Sequence, residues 1–247
     1  MSRIWSFLLC GLAALCCFSQ GGVLPSGCEQ AIVGSAKNWN DSHVQVSLLE
    51  KRGGNWVLIK GPFPGRLGKS GLVWGLGYTA PGRGQRLKTE GDLRSPAGVF
   101  SLGDAYGTVA APAKHARLSY RRVTPKDLWV EDAKSPSYNH HIVLDHVAST
   151  PWELEQQMKL NDYHHSLKLF IRHNAPGDRG RPVAGAGSSI FFHIWRNGGQ
   201  SPTAGCTTMS EENLRALIKW VDPAKKPVYI LLPASEYMKL RGTWGLP

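Results

Sequence analysis

The run Ser189-Ile190-Phe191-Phe192-His193-Ile194-Trp195 constrains the fold more than any other stretch of this chain. It is dense in aromatic and β-branched residues, which suit a pleated, packed surface. A loop containing Gly and Pro follows, residues 196–203, and then a helical pattern. Ser210 is a good N-cap, Glu211 and Glu212 fall in the first turn, and Leu214, Leu217, Ile218 and Val221 share one face. That stripe reads as core packing, and Pro223 stops the helix. A strand of this kind must find partners elsewhere in the chain.

Partners are present. Val44 to Leu48 alternates, and Trp56-Val57-Leu58-Ile59 follows after Gly53-Gly54, which predicts a hairpin. Residues 61–94, rich in Gly, Pro and basic side chains, read as loops and short strands. Ala97 to Leu102 reads as a strand after a Ser95-Pro96 turn. Ile142 to Asp145, Leu167 to Ile171 and Val228 to Leu232 are further strands. Pro151 to Leu160 predicts a short helix, with Glu153 and Glu155 near its positive end. The 28 Gly and 16 Pro fit a chain with many turns. The expectation is a mainly β fold with a few helices, one domain over residues 23–247, and no internal repeat.

Residues 1–22 read as a secretory signal. Arg3 precedes an apolar run from Ile4 to Phe18, and Ser19-Gln20-Gly21-Gly22 is a small, polar cleavage region. The run is short for a bilayer span, which needs roughly 20 apolar residues, so no stable membrane insertion is expected after removal. Lipidation at Cys16 or Cys17 is the lesser alternative. With Cys10, Cys16 and Cys17 removed, only Cys28 and Cys206 remain. In an oxidising compartment two cysteines pair by default. A functional reading of Cys206 must therefore rest on something more specific.

The net charge of +11 calls for an anionic partner. Lys and Arg are spread along the chain and no nucleic-acid signature appears, so an anionic cell envelope fits better than nucleic acid. His140-His141, His164-His165 and His173 form no His-Glu-x-x-His and no compact cluster. They are expected to be surface histidines, and neither a metal nor a cofactor is expected.

The chemistry-bearing residues are His193, on the β-prone run, and Cys206, just after Gly205 in a loop leading towards the helix. A helix N-terminus and a neighbouring imidazole both lower a thiol pKa. Gly205 permits close approach to a substrate, and the N–H groups of Gly205 and Cys206 could receive an oxyanion. This pattern suits cysteine acyl transfer, although a core histidine and a half-cystine would give the same letters.

Longer segments are more specific. His193-Ile194-Trp195-Arg196, followed by Thr203-Ala204-Gly205-Cys206-Thr207-Thr208-Met209, resembles the signature of the L,D-transpeptidase (YkuD-type) family. Glu90-Gly91-Asp92-Leu93-Arg94-Ser95-Pro96-Ala97-Gly98-Val99-Phe100 resembles that family's Gly-Asp-x-x-Thr-Pro-x-Gly-x-Phe element. Asp127 to Val130, with Ser135 to Asn139, resembles one branch of it. Ala204 replaces the family's frequent second histidine, Ile194 its frequent Ser or Gly, and Thr208 its frequent Arg or Asn. These departures mark a divergent branch.

The resemblance implies a YkuD-like β-sandwich or barrel with Cys206 as nucleophile, His193 as general base and Gly205 and Cys206 as oxyanion donors. It implies a peptidoglycan L,D-transpeptidase, periplasmic or extracellular. The enzyme would cleave the bond after the L-centre of meso-diaminopimelate, or its equivalent, in a tetrapeptide stem, release D-Ala and pass the acyl group to an amine. Transfer to water would instead make an L,D-carboxypeptidase or amidase-like hydrolase, and loss of chemistry a wall-binding domain. Arg196 would meet a stem carboxylate or stand in solvent. Tyr138 and Asn139 would line the substrate site, or serve as a buried Tyr beside a turn Asn.

Overall fold

The computed structural model describes residues 22–79, 82, 84–110, 117–158, 161–177 and 180–247. Apart from Gly22, the predicted signal segment lies outside them, as do Cys10, Cys16 and Cys17.

Twelve strands and three α-helices make up the regular structure of these residues. The first hairpin is β1 (Gln30–Ala36) to β2 (His43–Arg52), and β3 (Asn55–Arg66) returns from β2 through Gly53-Gly54. Both turn glycines have positive φ, 55° and 83°, which explains their presence at a tight reversal. Next come β4 (Leu72–Trp74), the long β5 (Ser95–Gly107) and β6 (Tyr120–Arg122). A separate two-stranded sheet pairs β7 (Asp127–Trp129) with β8 (His141–Val143). Then α1 (Pro151–Gln156) leads to β9 (Leu167–Ile171), β10 (Phe191–Ile194) and β11 (Thr207–Met209). The chain ends with α2 (Glu211–Trp220), β12 (Val228–Pro233) and α3 (Ala234–Trp244).

The main sheet runs β12-β1-β2-β3-β11-β10-β9-β5, and β12 also pairs with β5, so the sheet closes on itself as a barrel. Closure leaves no open edge along this path. Only β1 with β12 and β10 with β11 run parallel along it; β4 and β6 are parallel additions to β5. The expectation of a mainly β chain forming a barrel holds.

Alternation along the strands decides what faces where. In β9, Leu167, Leu169 and Ile171 enter the barrel core; in β10, Phe192 and Ile194 do; in β11, Met209 does. The intervening residues face outward. Phe170 and Phe191 join Tyr106, Val123, Trp129, Met158 and Ala175 in a second apolar cluster, against which Cys206 packs. Trp129 comes from β7, so the small sheet roofs the outer face of β9 and β10. Its indole centroid lies 4.4 Å from Phe170 and 4.8 Å from Phe191. The helix α1 lies against β7 and begins with a capping box: Thr150 accepts from the Glu153 N–H, and Glu153 accepts from the Thr150 N–H.

Three local readings differ from the sequence expectation. The short helix stops at Gln156 rather than Leu160, and residues 159 and 160 lie outside the described residues. Residues 61–66 continue β3 instead of starting a loop region. A strand, β11, stands between Cys206 and α2, so the cysteine is not at a helix N-terminus.

Candidate active site

The outward alternation of four adjacent strands assembles the site. Residue pairing sets Arg66 beside Thr208, Thr208 beside His193, and His193 beside Lys168. The result is a polar row crossing β3, β11, β10 and β9. Cys206 immediately precedes β11, at one end of the parallel β10–β11 pair.

Cys206 is held by its own loop and by the approach to β10. Its thiol donates to the Ser189 carbonyl at 3.5 Å and accepts from the Phe191 N–H at 3.4 Å. Burial pushes the thiol up to about 11, against the lowering effect of the Phe191 N–H. The expected depression by a helix terminus is therefore absent, because β11 separates the sulfur from α2. Cys28 is also a free thiol; it lies in the barrel core and donates to the Gln30 carbonyl. The default Cys28–Cys206 disulfide does not form.

His193 is 6% exposed. Its Nδ1 lies 2.9 Å from the carbonyl of Ile194, so Nδ1 carries the proton in the neutral ring. The side chain at position 194 is free to be apolar, because the backbone does the orienting. Burial pulls the imidazole down to about 4, partly opposed by its backbone contacts to Ile194 and His164. At neutral pH the histidine is an uncharged ring and the cysteine an uncharged thiol.

Two cavities meet at this pair. The larger, about 330 Å³, is lined by Cys206, His193, His165, Lys168, Glu131, Gln156, Phe191 and Trp129, among others. The smaller, about 240 Å³, is lined by Cys206, His193, His165, Arg196, Ser201, Pro202, Thr203, Ala204 and Thr208. Lys168 is buried, with Nζ 5.1 Å from the Phe191 ring centroid.

The loop that carries the cysteine is bracketed from below. Thr203 Oγ1 donates to the Cys206 carbonyl at 2.7 Å and accepts from the Gly205 N–H at 3.0 Å. Ser95 Oγ donates to the same carbonyl at 3.4 Å and accepts from the Gly68 N–H. The Gly205 N–H, expected as one of two oxyanion donors, is bonded to Thr203 Oγ1 here. The Cys206 N–H makes no hydrogen bond among the described residues. Asp92 accepts from Lys88 Nζ at 2.5 Å and from the N–H groups of Thr89 and Arg94, forming a buried ion pair beside Gly205. The Gly-Asp-x-x-Ser-Pro-x-Gly segment is therefore structural support. At its Gly98, with φ 139°, a Cβ would come within 2.8 Å of Thr79 Oγ1.

The remaining predicted residues divide. Arg196 lines the smaller cavity and forms an ion pair with Asp162. Tyr138 and Asn139 line neither cavity that contains Cys206. Tyr138 is buried and donates to Glu90, which also accepts from Ser188 Oγ. Asn139 is buried; its Oδ1 accepts from Trp129 Nε1 and the Ser189 N–H, and its Nδ2 donates to the carbonyls of His173 and Asn174. A short polar side chain that also tolerates its φ of 57° suits that buried turn, so both are framework residues.

None of the supposed surface histidines is exposed: His140, His141, His164 and His165 are half-buried and His173 is buried. His173 is fully buried; Nδ1 accepts from the Leu76 N–H at 3.0 Å and Nε2–H donates to the Ala186 carbonyl at 2.9 Å. His165 packs its ring against His193, with centroids 4.3 Å apart and planes tilted by 44°, and lines both cavities. Its doublet with His164 and its position just before β9 gave no signal of that role. No group of metal-ligating side chains occurs among the described residues.

The outer face of a closed barrel thus carries a cysteine and a backbone-anchored histidine that line the same two cavities. The chain belongs to the L,D-transpeptidase catalytic domain family, YkuD, whose profile matches residues 66–230, two thirds of the sequence. No curated protein matches the chain. Among solved structures, the helical cell shape determining protein Pgp2 from Campylobacter jejuni is similar, with TM-score 0.38 and 16% identity over 83% of this chain and 48% of that one. Bd1075 of Bdellovibrio bacteriovorus is similar with TM-score 0.39 and 12% identity over 88% of this chain and 54% of that one. The chain spans about half the length of each.

Proposed function

We propose that this protein is a peptidoglycan L,D-transpeptidase that works through a Cys206 thioester in the cell envelope. The observation that carries this reading is the shared position of Cys206 and His193 at the junction of two cavities. One cavity can hold the acyl part of a stem peptide while the other holds the group that leaves or the amine that enters. Membership of the family supplies peptidoglycan as the substrate class.

This reading implies a sequence of bond changes. The stem carbonyl enters beside Cys206, and the thiol proton passes to Nε2 of His193 as the sulfur adds to the carbonyl carbon. The Cys206 N–H receives the oxyanion. Collapse breaks the carbon–nitrogen bond, and His193 returns the proton to the departing amine. The acceptor amine then adds to the thioester carbonyl, passing its proton to His193; collapse breaks the carbon–sulfur bond, and His193 returns that proton to the Cys206 sulfur. Burial raises the Cys206 thiol and lowers the His193 imidazole, which favours proton transfer concerted with attack on the carbonyl over a standing ion pair.

A secreted protein fits this role. The strongly basic composition suits an anionic wall, and no described helix is long and apolar enough to cross a membrane. The test is mass spectrometry of tetrapeptide muropeptides incubated with residues 23–247, beside a Cys206→Ala control. Cross-linked dimers that require Cys206 are the expected products. Tripeptides alone would make the protein an L,D-carboxypeptidase, and unchanged muropeptides would leave a wall-binding role.

A further inference from the structure

The buried hydroxyl of Thr208 has no use in the folded chain. Thr208 is 1% exposed, and its Oγ1 makes no hydrogen bond among the described residues. A buried hydroxyl without a partner is costly, so folded proteins seldom keep one without a reason. Its neighbour Thr207 faces the other way and pairs with the Tyr229 hydroxyl at 3.0 Å. Thr208 instead lines the smaller cavity, one strand across from His193.

The character of that cavity limits what Thr208 can meet. No carboxylate lines it, whereas the larger cavity has Glu131 and Glu155. Arg196, ion-paired with Asp162, brings guanidinium N–H donors to the rim of the smaller one, and Arg66 is the next residue along the row. Pro202 and Ala204 give it an apolar wall. A small ligand with a negative end and a methyl-sized side chain matches these surfaces. Spacing agrees: neighbouring strands lie about 4.8 Å apart. An amino acid whose nitrogen faces His193 therefore places its carboxylate beside Thr208.

We infer that the smaller cavity is a carboxylate subsite, in which Thr208 Oγ1 donates to the terminal carboxylate of the small amino acid that leaves, with Arg196 at its rim. This rests on the acyl-transfer reading above and names the part of the substrate that the site grips. Thr208 is a positioning residue: it sets the departing nitrogen against His193 without touching the reacting carbon.

The test uses a stem tetrapeptide ending in D-alanine and the same peptide ending in D-alanine amide. Calorimetry measures their binding to Cys206→Ala, alone and combined with Thr208→Val or Thr208→Ser. Thr208→Val should weaken the acid peptide about tenfold, as for loss of a hydrogen bond to a charged group. It should leave the amide peptide unchanged, and Thr208→Ser should restore binding. The melting temperature of Thr208→Val should equal or exceed that of its parent, since valine fills the site without an unpaired hydroxyl. Unchanged binding, a fall in melting temperature, or no binding of the acid peptide to Cys206→Ala would overturn the inference. Failure of the functional reading is seen separately, as wild-type protein that releases no D-alanine from the tetrapeptide.

Discussion

Asn139 accepts the Ser189 N–H at 3.1 Å, and the Ser189 carbonyl in turn accepts the Cys206 thiol. The buried amide thus positions the sulfur from a distance. Ser189 has a φ of 56°, unusual for a residue with a side chain, so its conformation needs such support. Replacing Asn139 by Ala leaves the Trp129 indole N–H and three backbone groups without their partner. The expected cost is roughly 2–4 kcal/mol in denaturant unfolding, with turnover falling further than stability explains.

Cys206→Ala should abolish turnover while costing on the order of 1 kcal/mol of stability. In a Cys28→Ser background, iodoacetamide should modify Cys206 at pH 7 far more slowly than it modifies free cysteine, because the thiol is pushed up to about 11. The rate should climb as pH rises above 9. An alkylation rate at pH 7 matching a catalytic thiolate would contradict the neutral resting pair. For the same reason, the pH profile of kcat/KM should lack an acidic limb near 6.5, since His193 stays neutral down to about 4.

Acid should destabilise the fold in two windows. Burial holds His173 and His193 at about 4 and His165 at about 3, below the ordinary 6.5. Between these values the unfolded chain binds more protons than the folded one, so stability rises with pH. This contribution is complete above 6.5 and is lost as pH falls towards 4. Asp127 adds a later loss. Burial raises its pKa, but hydrogen bonds from Arg121, Thr124 and His141 prevail and hold it at about 2, so its contribution disappears below 3.8. Melting temperatures measured from pH 7 to 3 should show both falls, and His173→Gln should flatten the first.

Asp92→Asn leaves Lys88 charged in a place where both side chains are only 3% exposed. Breaking a buried pair from one side costs roughly 3–5 kcal/mol. Chemical denaturation should show a loss of that size. Lys88→Met with Asp92→Leu should recover much of it if the pair serves packing beneath the Gly205 loop alone.

The strands were largely legible because period-two alternation and turn glycines are local signals, whereas the barrel was an expectation from the family resemblance alone. The β-prone run at 189–195 and the Gly53-Gly54 hairpin were readable for that reason. Cys206 and His193 were readable as a pattern of residue types along one strand and loop. His165 was not, because it reaches His193 on the neighbouring strand from a short 3₁₀ turn at Tyr163–His165, a contact with no local signal. Asn139 and Tyr138 stood out as letters but not as orientations, and only tertiary packing turns them inward. The strand β11 was missed because three residues between a cysteine loop and a strong helix carry too little periodicity to read.

The closed sheet has one consequence for engineering. Val23 donates to the Trp244 carbonyl at 3.0 Å, so the two ends of the described fold lie on a common seam. A short flexible peptide joining residue 247 to residue 22, with new termini opened between Gly53 and Gly54, gives a circular permutant that keeps every strand pairing of the barrel. That rearranged chain would present Cys206 on an unaltered surface while releasing the seam for attachment to a bead or a fluorophore.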